Sequence, residues 1–317
     1  MLKNEIRLNN MLSTCKSESI SKLNPHFITG LTDAEGSFSI TKHKNNRAKY
    51  KINIGLSFRI SMLNNEIELF SKVKDFFGCG NILFDDKRGT LIPAITFGIH
   101  DITSINNTVI PHFTKYPLRG TKYLDYLTFK KAVDFINSKK HLTKEGIDEI
   151  IEMSYSMNTF RKFTKEYCPI HTIESSPEYI SISGHYINGF IAGDGCLTLN
   201  TKDVGFGTMS IKISQHKNNR LLLVSILSYF KSSSKIYTNT SSMQITLSGH
   251  KLWQTIIFDH FSKYPLHGTK LIRLKKLFII RELMLNNNHL IQIGSSRQWK
   301  PNIKLSIINI WNSNIID

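Results

Sequence analysis

Two twelve-residue stretches each end with an acidic residue, a glycine and one further residue: residues 26–37 (HFITGLTDAEGS) and 185–196 (HYINGFIAGDGC). Each is typical of an amphipathic helix, which places Glu35 and Asp194 at helix C-termini. A carboxylate is unfavourable there, because the helix dipole is negative at that end. Carboxylate oxygens without neighbouring His or Cys ligands favour Mg²⁺ or a similar cation over zinc. The pair therefore predicts a site for a divalent cation.

Small residues recur four positions apart in both stretches, as Gly30 and Ala34 and as Gly189 and Gly193. Such spacing gives each helix a smooth stripe along which two backbones can approach closely. If the helices pack in parallel, Glu35 and Asp194 meet side by side, and their mutual repulsion calls for a cation. For a single copy a solvated helix end would be the favoured explanation, and the duplication is what favours a shared site.

Strand-like alternation follows each acid and predicts two β-hairpins per copy with one apolar and one polar face. The polar faces are rich in side chains that bond base edges and phosphates, and acidic residues are almost absent from them. A solvated surface is the alternative, but two such ribbons about a twofold axis would follow a DNA major groove. The predicted DNA-contacting residues are Ser37, Ser39, Thr41, His43, Asn45, Arg47, Asn53, Ser57, Arg59 and Thr96, with Thr198, Asn200, Lys202, Ser210, Lys212, Ser214, Lys235, Tyr237, Gln244 and Thr246.

A second repeated segment follows the hairpins: residues 112–122 (HFTKYPLRGTK) match residues 260–270 (HFSKYPLHGTK). Asn65 matches Asn219, and in the first copy Asn64 is predicted to cap a helix that ends near Phe77, before Gly78. We therefore expect a polar N-terminal arm at residues 1–23, a first repeat at 24–137, a connector at 138–183 and a second repeat at 184–317. The connector is predicted to hold a helix over residues 144–158.

The chain of 317 residues has 41 Lys and Arg against 24 Asp and Glu, a formal net charge of +17. Nucleic acid is the leading partner for such an excess of positive charge. A membrane surface is disfavoured, because the longest helix-like apolar run, residues 221–230, is too short to cross a bilayer. The 4 cysteines show no CxxC or Cys/His cluster, which excludes a typical zinc site or disulfide framework. Residues 1–23 lack the apolar core of a secretory signal, and we expect a soluble protein.

The paired motifs resemble those of the LAGLIDADG homing endonucleases in their single-chain, two-repeat form. The repeated KYPL and lysine segments, residues 213–216 (ISQH) and the connector residues His141, Leu142 and Gly146 are similar to the fungal mitochondrial intron-encoded branch. The resemblance covers about residues 24–300. It implies an α+β fold of two pseudo-symmetric αββαββα units packed through the motif helices, with antiparallel sheets forming a DNA-binding saddle.

The resemblance also implies roles for individual residues. Glu35 and Asp194, with the carbonyls of Ala34 and Gly193, would hold divalent metal at two scissile phosphates. The metal is expected to be Mg²⁺ or another cation such as Mn²⁺, whereas Ca²⁺ would bind without supporting cleavage. Lys122 and Lys270 stand at positions where the family has a catalytic lysine near the active-site water. Arg59 and Lys212 stand where relatives often have Gln or another polar residue, which leaves open whether they organise water or contact phosphate.

The implied function is a metal-dependent double-strand break with short 3′ overhangs at a long asymmetric DNA target, in support of intron homing. An RNA maturase that aids splicing of the host intron without cleavage is the alternative, and a DNA-binding regulator without chemistry is a third class. Retention of both Glu35 and Asp194 favours the nuclease. Double-stranded DNA is the expected partner, with the host intron RNA as a second candidate. The protein is expected to be a monomer, without a membrane partner, in the mitochondrion.

Overall fold

The computed structural model describes residues 22–85, 93–161, 182–201, 208–285, 289–293 and 296–313. Most of the predicted N-terminal arm, much of the connector and the predicted DNA contact Lys202 lie outside these ranges. The described residues form helices and antiparallel sheets in an order that occurs twice. The domain boundaries given above stay a prediction.

The first half begins with the motif helix α1, whose N-terminus is capped by Asn24, since its side-chain oxygen accepts from the N–H of His26 at 2.9 Å. Short 3₁₀ turns and a π-helical turn join several elements. The elements are α1 (Pro25–Glu35), β1 (Gly36–Lys44), β2 (Ile52–Leu63), α2 (Ile67–Phe77), β3 (Asn81–Asp85), β4 (Ala94–Ile99), α3 (Ile102–Ser104), α4 (Ile110–Lys115), α5 (Lys122–Asn137) and α6 (Lys144–Tyr155).

The second half repeats the order from α1 to α5 and then continues with a small hairpin and a terminal helix. Its elements are α7 (Gly184–Asp194), β5 (Gly195–Asn200), β6 (Thr208–His216), α8 (Arg220–Tyr229), β7 (Tyr237–Thr238), β8 (Ser242–Ser248), α9 (His250–Leu252), α10 (Phe258–Lys263), α11 (Thr269–Met284), β9 (Leu290–Ile293), β10 (Ser296–Trp299) and α12 (Pro301–Asn312). No described helix is both long and apolar enough to span a membrane.

The two four-stranded sheets have equivalent strand orders, β1-β2-β4-β3 and β5-β6-β8-β7. In each half the glycine after the motif acid pairs with an isoleucine of the next strand, Ile60 in the first half and Ile213 in the second. Glu66 and Asn219 are separated by the same number of residues as Ile60 and Ile213, so Asn219 is equivalent to Glu66 and not to Asn65. The predicted match of Asn65 with Asn219 is therefore wrong by one residue, because hairpin lengths differ between the halves.

Two predicted helix ends also need correction. Asn64 does not cap α2, because the helix begins at Ile67 and Glu66 stands at its N-cap position. The backbone N–H of Asn64 instead donates to the carbonyl of Pro93 at 3.1 Å, in the turn after β2. The predicted stop at Gly78 is confirmed, since this residue has a φ of 65° in the left-handed region that glycine adopts readily. The connector helix ends at Tyr155, three residues earlier than residue 158.

The motif helices α1 and α7 pack in parallel along their small residues, as the sequence predicts. A Cβ atom on Gly30 would overlap the carbonyl oxygen of Tyr186, and one on Gly189 would overlap that of Phe27. At the C-terminal ends, the side chain of Ala34 lies against Gly193. The helix backbones are therefore in direct contact along their length, and this joint unites the two halves.

Buried histidines attach the repeated segments, residues 112–118 and 260–266, to the motif helices. The Nε2 atom of His112 lies 3.2 Å from the hydroxyl of Thr29, which also donates to the carbonyl of Tyr116 at 3.1 Å. In the second half, the Nε2 atom of His260 lies 2.7 Å from the side-chain oxygen of Asn188. The recurrence of these segments in the sequence thus has a structural cause.

We expect the protein to lose stability as the pH falls from about 6.5 towards 4. Burial lowers the pKa of His112 to about 4 and that of His260 to about 3 from an ordinary 6.5. In this pH range the unfolded chain binds protons that the folded chain does not, so protonation favours unfolding, by at most about 1.4 kcal/mol per pH unit for each histidine. Urea unfolding at pH 7 and pH 5 measures the difference. A His112→Gln variant should show a smaller pH dependence than the native protein, and an equal dependence would contradict the assignment.

Candidate active site and nucleic-acid interface

The two motif acids lie together at the C-terminal ends of α1 and α7. A Cβ atom on Gly193 would contact the Cγ atom of Glu35, and both Glu35 and Asp194 are half-buried. Burial raises the pKa of both carboxyls, and the charge of Asp194 raises that of Glu35 further. Two carboxylates in one partly desolvated place repel each other and attract a cation. The structure therefore brings together the acids that the sequence predicted as a pair.

The two predicted catalytic lysines cap the helices that carry these acids. Lys122 Nζ donates to three successive carbonyls near the end of α1, and Lys270 Nζ donates to two near the end of α7. The first set comprises Thr32 at 3.3 Å, Asp33 at 2.9 Å and Ala34 at 2.6 Å. The second comprises Ile191 at 3.0 Å and Gly193. Burial lowers the pKa of both ammonium groups, while Glu35 and Asp194 act in the opposite direction.

The donor set suits a hard cation, with one complication. Glu35 and Asp194 offer carboxylate oxygens, and among the described residues no group of three or more His, Cys, Asp or Glu side chains could hold a metal ion. Further ligands must then be carbonyl, water or phosphate oxygens, which Mg²⁺ accepts. The carbonyls of Ala34 and Gly193 already accept hydrogen bonds from ammonium groups. Each carbonyl oxygen has two lone pairs, so a metal ion could share it with an ammonium group only against the repulsion between the two cations, and displacement of the lysines would remove that repulsion.

Gln215 is a site residue that the sequence reasoning missed. Its Nε2 atom donates to a carboxylate oxygen of Asp194 at 2.5 Å, and its Oε1 atom accepts from the side chain of Asn219 at 2.7 Å. Gln215 follows Ile211 and Ile213 on the inward face of β6. A polar residue at an inward position was the available signal. The equivalent residue in the first half is Met62, which cannot make these bonds, so the two half-sites differ.

Arg59 and Lys212 lie on the outward faces of their strands. Both are exposed, and they pair with Ser37 and Cys196 respectively. The hydrogen bond to Asp194 comes from Gln215 instead, which faces the other side of β6. Lys212 and Gln215 thus lie on opposite faces of the same strand.

A third acid of the motif helices, Asp33, has a structural environment. It is only 4% exposed and accepts from the backbone N–H groups of Arg119 at 2.7 Å and Gly120 at 3.2 Å. The hydroxyl of Tyr186 in the opposite helix donates to it at 2.7 Å. Burial raises the pKa of this carboxyl. The equivalent position in the second half is Ala192, so Asp33 holds the joint and the turn before Lys122 in one half alone.

Most of the predicted DNA-contacting residues are accessible on the two sheets or at their loops. The exposed ones are Thr41, His43, Arg47, Asn53, Arg59, Asn200, Lys212, Ser214, Lys235 and Tyr237. The half-buried ones are Ser37, Ser39, Asn45, Thr96, Thr198, Gln244 and Thr246.

Two of the predicted contacts are not accessible. Ser57 is 4% exposed and Ser210 is 6% exposed, although each lies on the same strand face as the exposed Arg59 or Lys212 two residues further along. The hydroxyl of Ser210 is 2.6 Å from that of Thr198 and is thus already engaged. Both residues therefore lie on the predicted outward faces, but their hydroxyls are covered and not available to DNA.

Comparison with known proteins gives matches over both halves. The family model described as LAGLIDADG endonuclease matches residues 28–133 and 187–280. Probable intron-encoded endonuclease 2 of Neurospora crassa is 30% identical over 295 residues, which are 87% of this chain and 63% of that protein. The chain thus spans less than two thirds of that relative. An uncharacterized 50.9 kDa protein in ND4 intron 1 of Podospora anserina is 36% identical over 128 residues, 39% of this chain and 27% of that protein.

A solved structure supports the fold independently. The structure of I-SmaMI bound to an uncleaved DNA target in the presence of calcium ions has a TM-score of 0.76 and 24% sequence identity, covering 92% of this chain and 98% of that chain. At this identity the likeness shows a shared fold, which confirms the predicted α+β architecture of two pseudo-symmetric units. Because the family model matches both halves, including the helices that carry the paired acids, the chain belongs to the LAGLIDADG endonuclease family.

Proposed function

We propose that the protein is a site-specific DNA endonuclease that cuts both strands of a long asymmetric target, leaves short 3′ overhangs and supports homing of its intron. The observation that carries the proposal is the pair of half-buried acids, Glu35 and Asp194, at the joint between two sheet-bearing halves. A maturase or a regulator without chemistry has no evident use for such a pair. The names of the relatives support the proposal, since the Neurospora protein is called an endonuclease.

Each acid serves one strand in this proposal, because the two lie on either side of a pseudo-twofold axis. Mg²⁺ or Mn²⁺ held by Glu35 and Asp194 would activate water and neutralise charge on the scissile phosphate. Ca²⁺ is expected to bind there without supporting cleavage. Lys122 and Lys270 reach the same place from their own helices and, once moved from the carbonyls, stabilise developing charge or transfer a proton. Gln215 orients the carboxylate of Asp194.

The two antiparallel sheets bind the DNA through their outward side chains. We assign Arg59 and Lys212 to phosphate contacts, because both are exposed and point away from the inward side of their strands, where Gln215 meets Asp194. The sheets carry different side chains at equivalent positions, for example Arg59 and Lys212 themselves. An asymmetric target follows from this difference.

Replacing Arg59 or Lys212 with alanine should weaken DNA binding without changing base preference. Loss of one phosphate contact reduces the slope of log affinity against log salt by about 1. Fluorescence anisotropy in Ca²⁺ at several salt concentrations measures this slope. Ser61→Ala is a suitable control, since Ser61 lies in the same strand as Arg59 and carries no charge. An unchanged slope together with slower cleavage would instead assign these residues to water.

The expected setting is a monomer in the mitochondrion, acting on double-stranded DNA. The Podospora relative is located in an ND4 intron, and ND4 is a mitochondrial gene. The positive charge of +17 also suits RNA, so binding of the host intron RNA is compatible with the proposal.

Selection of cleaved molecules from a randomised DNA library in Mg²⁺ tests the proposed function. We expect recovery of one family of related long sequences cut in both strands. The same selection with the Glu35→Gln/Asp194→Asn protein is the control for contaminating nuclease. Recovery of equal products from both proteins, or of none from either, would contradict the proposal.

A further inference from the structure

The turn before each predicted catalytic lysine is held by a side chain from the opposite half of the molecule. These turns contain the Gly-Thr pairs of the repeated segments, and Lys122 and Lys270 follow them directly. The side chains that hold them, Asn219 and Glu66, stand at equivalent positions before α8 and α2. The contacts are therefore reciprocal across the joint.

Glu66 of the first half binds the turn of the second half. The backbone N–H of Thr269 donates to its two carboxylate oxygens at 3.2 and 3.0 Å, and the hydroxyl of Thr269 donates to it as well. Gly268 has a φ of 80°, and a Cβ atom there would collide with the carboxylate of Glu66. The turn is thus shaped to receive this side chain.

The burial of Glu66 is otherwise unexplained. It is only 4% exposed, and its side chain makes no capping hydrogen bond to α2, the helix that it precedes. A buried carboxylate needs hydrogen-bond donors, and those found here come from Thr269, 203 residues away in sequence. The side chain of Glu66 therefore makes its hydrogen bonds in the second half of the molecule.

Asn219 of the second half binds the turn of the first half in the same way. Its side-chain oxygen accepts from the N–H of Thr121 at 2.8 Å, and its amide donates to Gln215 at 2.7 Å. Asn219 therefore contacts the turn before Lys122 and, through Gln215, the carboxylate of Asp194. Because Asn219 reaches both half-sites, Glu66 offers the cleaner test.

We propose that Glu66 is a positioning residue that acts across the joint, setting the place of Lys270 by holding the Gly268-Thr269 turn. The inference rests on the proposed function, in which Lys270 takes part in cleavage. Glu66 itself is not placed at the reacting atoms. Asn219 is its counterpart for Lys122.

Double-mutant cycles test this inference on cleavage of the selected target under single-turnover conditions. Glu66→Ala should slow cleavage on the order of 10-fold, the range for a lost hydrogen bond to a charged group. This effect should vanish in the Lys270→Ala background and persist in the Lys122→Ala background, since Glu66 acts through Lys270 alone. On DNA with each strand labelled, Glu66→Ala and Lys270→Ala should slow the same strand more.

Conservative variants separate positioning from folding. Glu66→Gln keeps an oxygen that can accept from Thr269 and should recover most of the rate. Glu68→Ala is the matched control, because Glu68 is an exposed acid two residues further along the chain. Target binding in Ca²⁺ confirms folding. If Glu66→Ala does not bind, Thr269→Val removes only the hydroxyl contact and takes its place in the cycles.

The outcomes distinguish this inference from the proposed function. Equal effects of Glu66→Ala in the two lysine backgrounds would overturn the inference while leaving the function intact. Native rates for both Lys122→Ala and Lys270→Ala would instead remove the lysines from the proposed mechanism.

Discussion

Glu35→Gln combined with Asp194→Asn should abolish cleavage of both DNA strands, slowing each by about 1000-fold or more, since charge stabilisation usually contributes most to the acceleration of such chemistry. The amides keep the size of the side chains but carry no charge to hold a cation. DNA affinity should stay within about threefold of native, because phosphate contacts on the sheets supply most of it. Cleavage in Mg²⁺ and binding in Ca²⁺ are the two measurements.

The single variants refine this result. Because each acid serves one strand in the proposed function, we expect neither Glu35→Gln nor Asp194→Asn to make double-strand breaks. Glu68→Gln, which neutralises an exposed acid, should cleave at the native rate. A double variant that cuts at the native rate in Mg²⁺ would remove these acids from the active site.

Gly30→Ala or Gly189→Ala should destabilise the protein by about 3 kcal/mol or more, at the upper end for overpacked cores. A methyl group would overlap a backbone carbonyl of the opposite helix, and a backbone cannot move aside as a side chain can. Alanine is favoured over glycine within a helix by about 1 kcal/mol, so the steric clash has to exceed that gain. The midpoint of urea unfolding measures the change.

Gly78→Ala is the control for this experiment. Gly78 has a φ of 65° but no atom within 4 Å of its Cβ position, so only backbone strain opposes the substitution. That strain is about 1 kcal/mol. If Gly30→Ala destabilises no more than Gly78→Ala, the helices of the joint are not in backbone contact.

The fold was largely predictable because its signals are local and occur twice. The alternation of residues in the hairpins and the small residues of the motif helices each predicted an element that the structure contains. The errors lie where distant contacts decide, as at Asn64, which lies in a turn bonded to Pro93 and does not cap α2. The burial of Ser57 and Ser210 likewise does not follow from their own alternation, since each shares its strand face with the exposed Arg59 or Lys212.

The site was predictable only in part. The duplicated motif and its small residues indicated that Glu35 and Asp194 meet, whereas Lys122 and Lys270 came from the family resemblance. The bonds of these lysines to helix carbonyls join residues that are far apart in sequence, so local spacing contains no trace of them. Gln215 was detectable in principle, as a polar residue among inward isoleucines.

The difference between the two motif helices decides which halves can associate. Asp33 is matched by the hydroxyl of Tyr186, whereas the equivalent pair in the other direction is Ala192 with Phe27. Two copies of the first half would set Asp33 against phenylalanine and leave a buried carboxylate short of one donor, at a cost of about 1–3 kcal/mol for each copy. Halves produced as separate polypeptides should therefore form the mixed pair in preference to a homodimer of the first half.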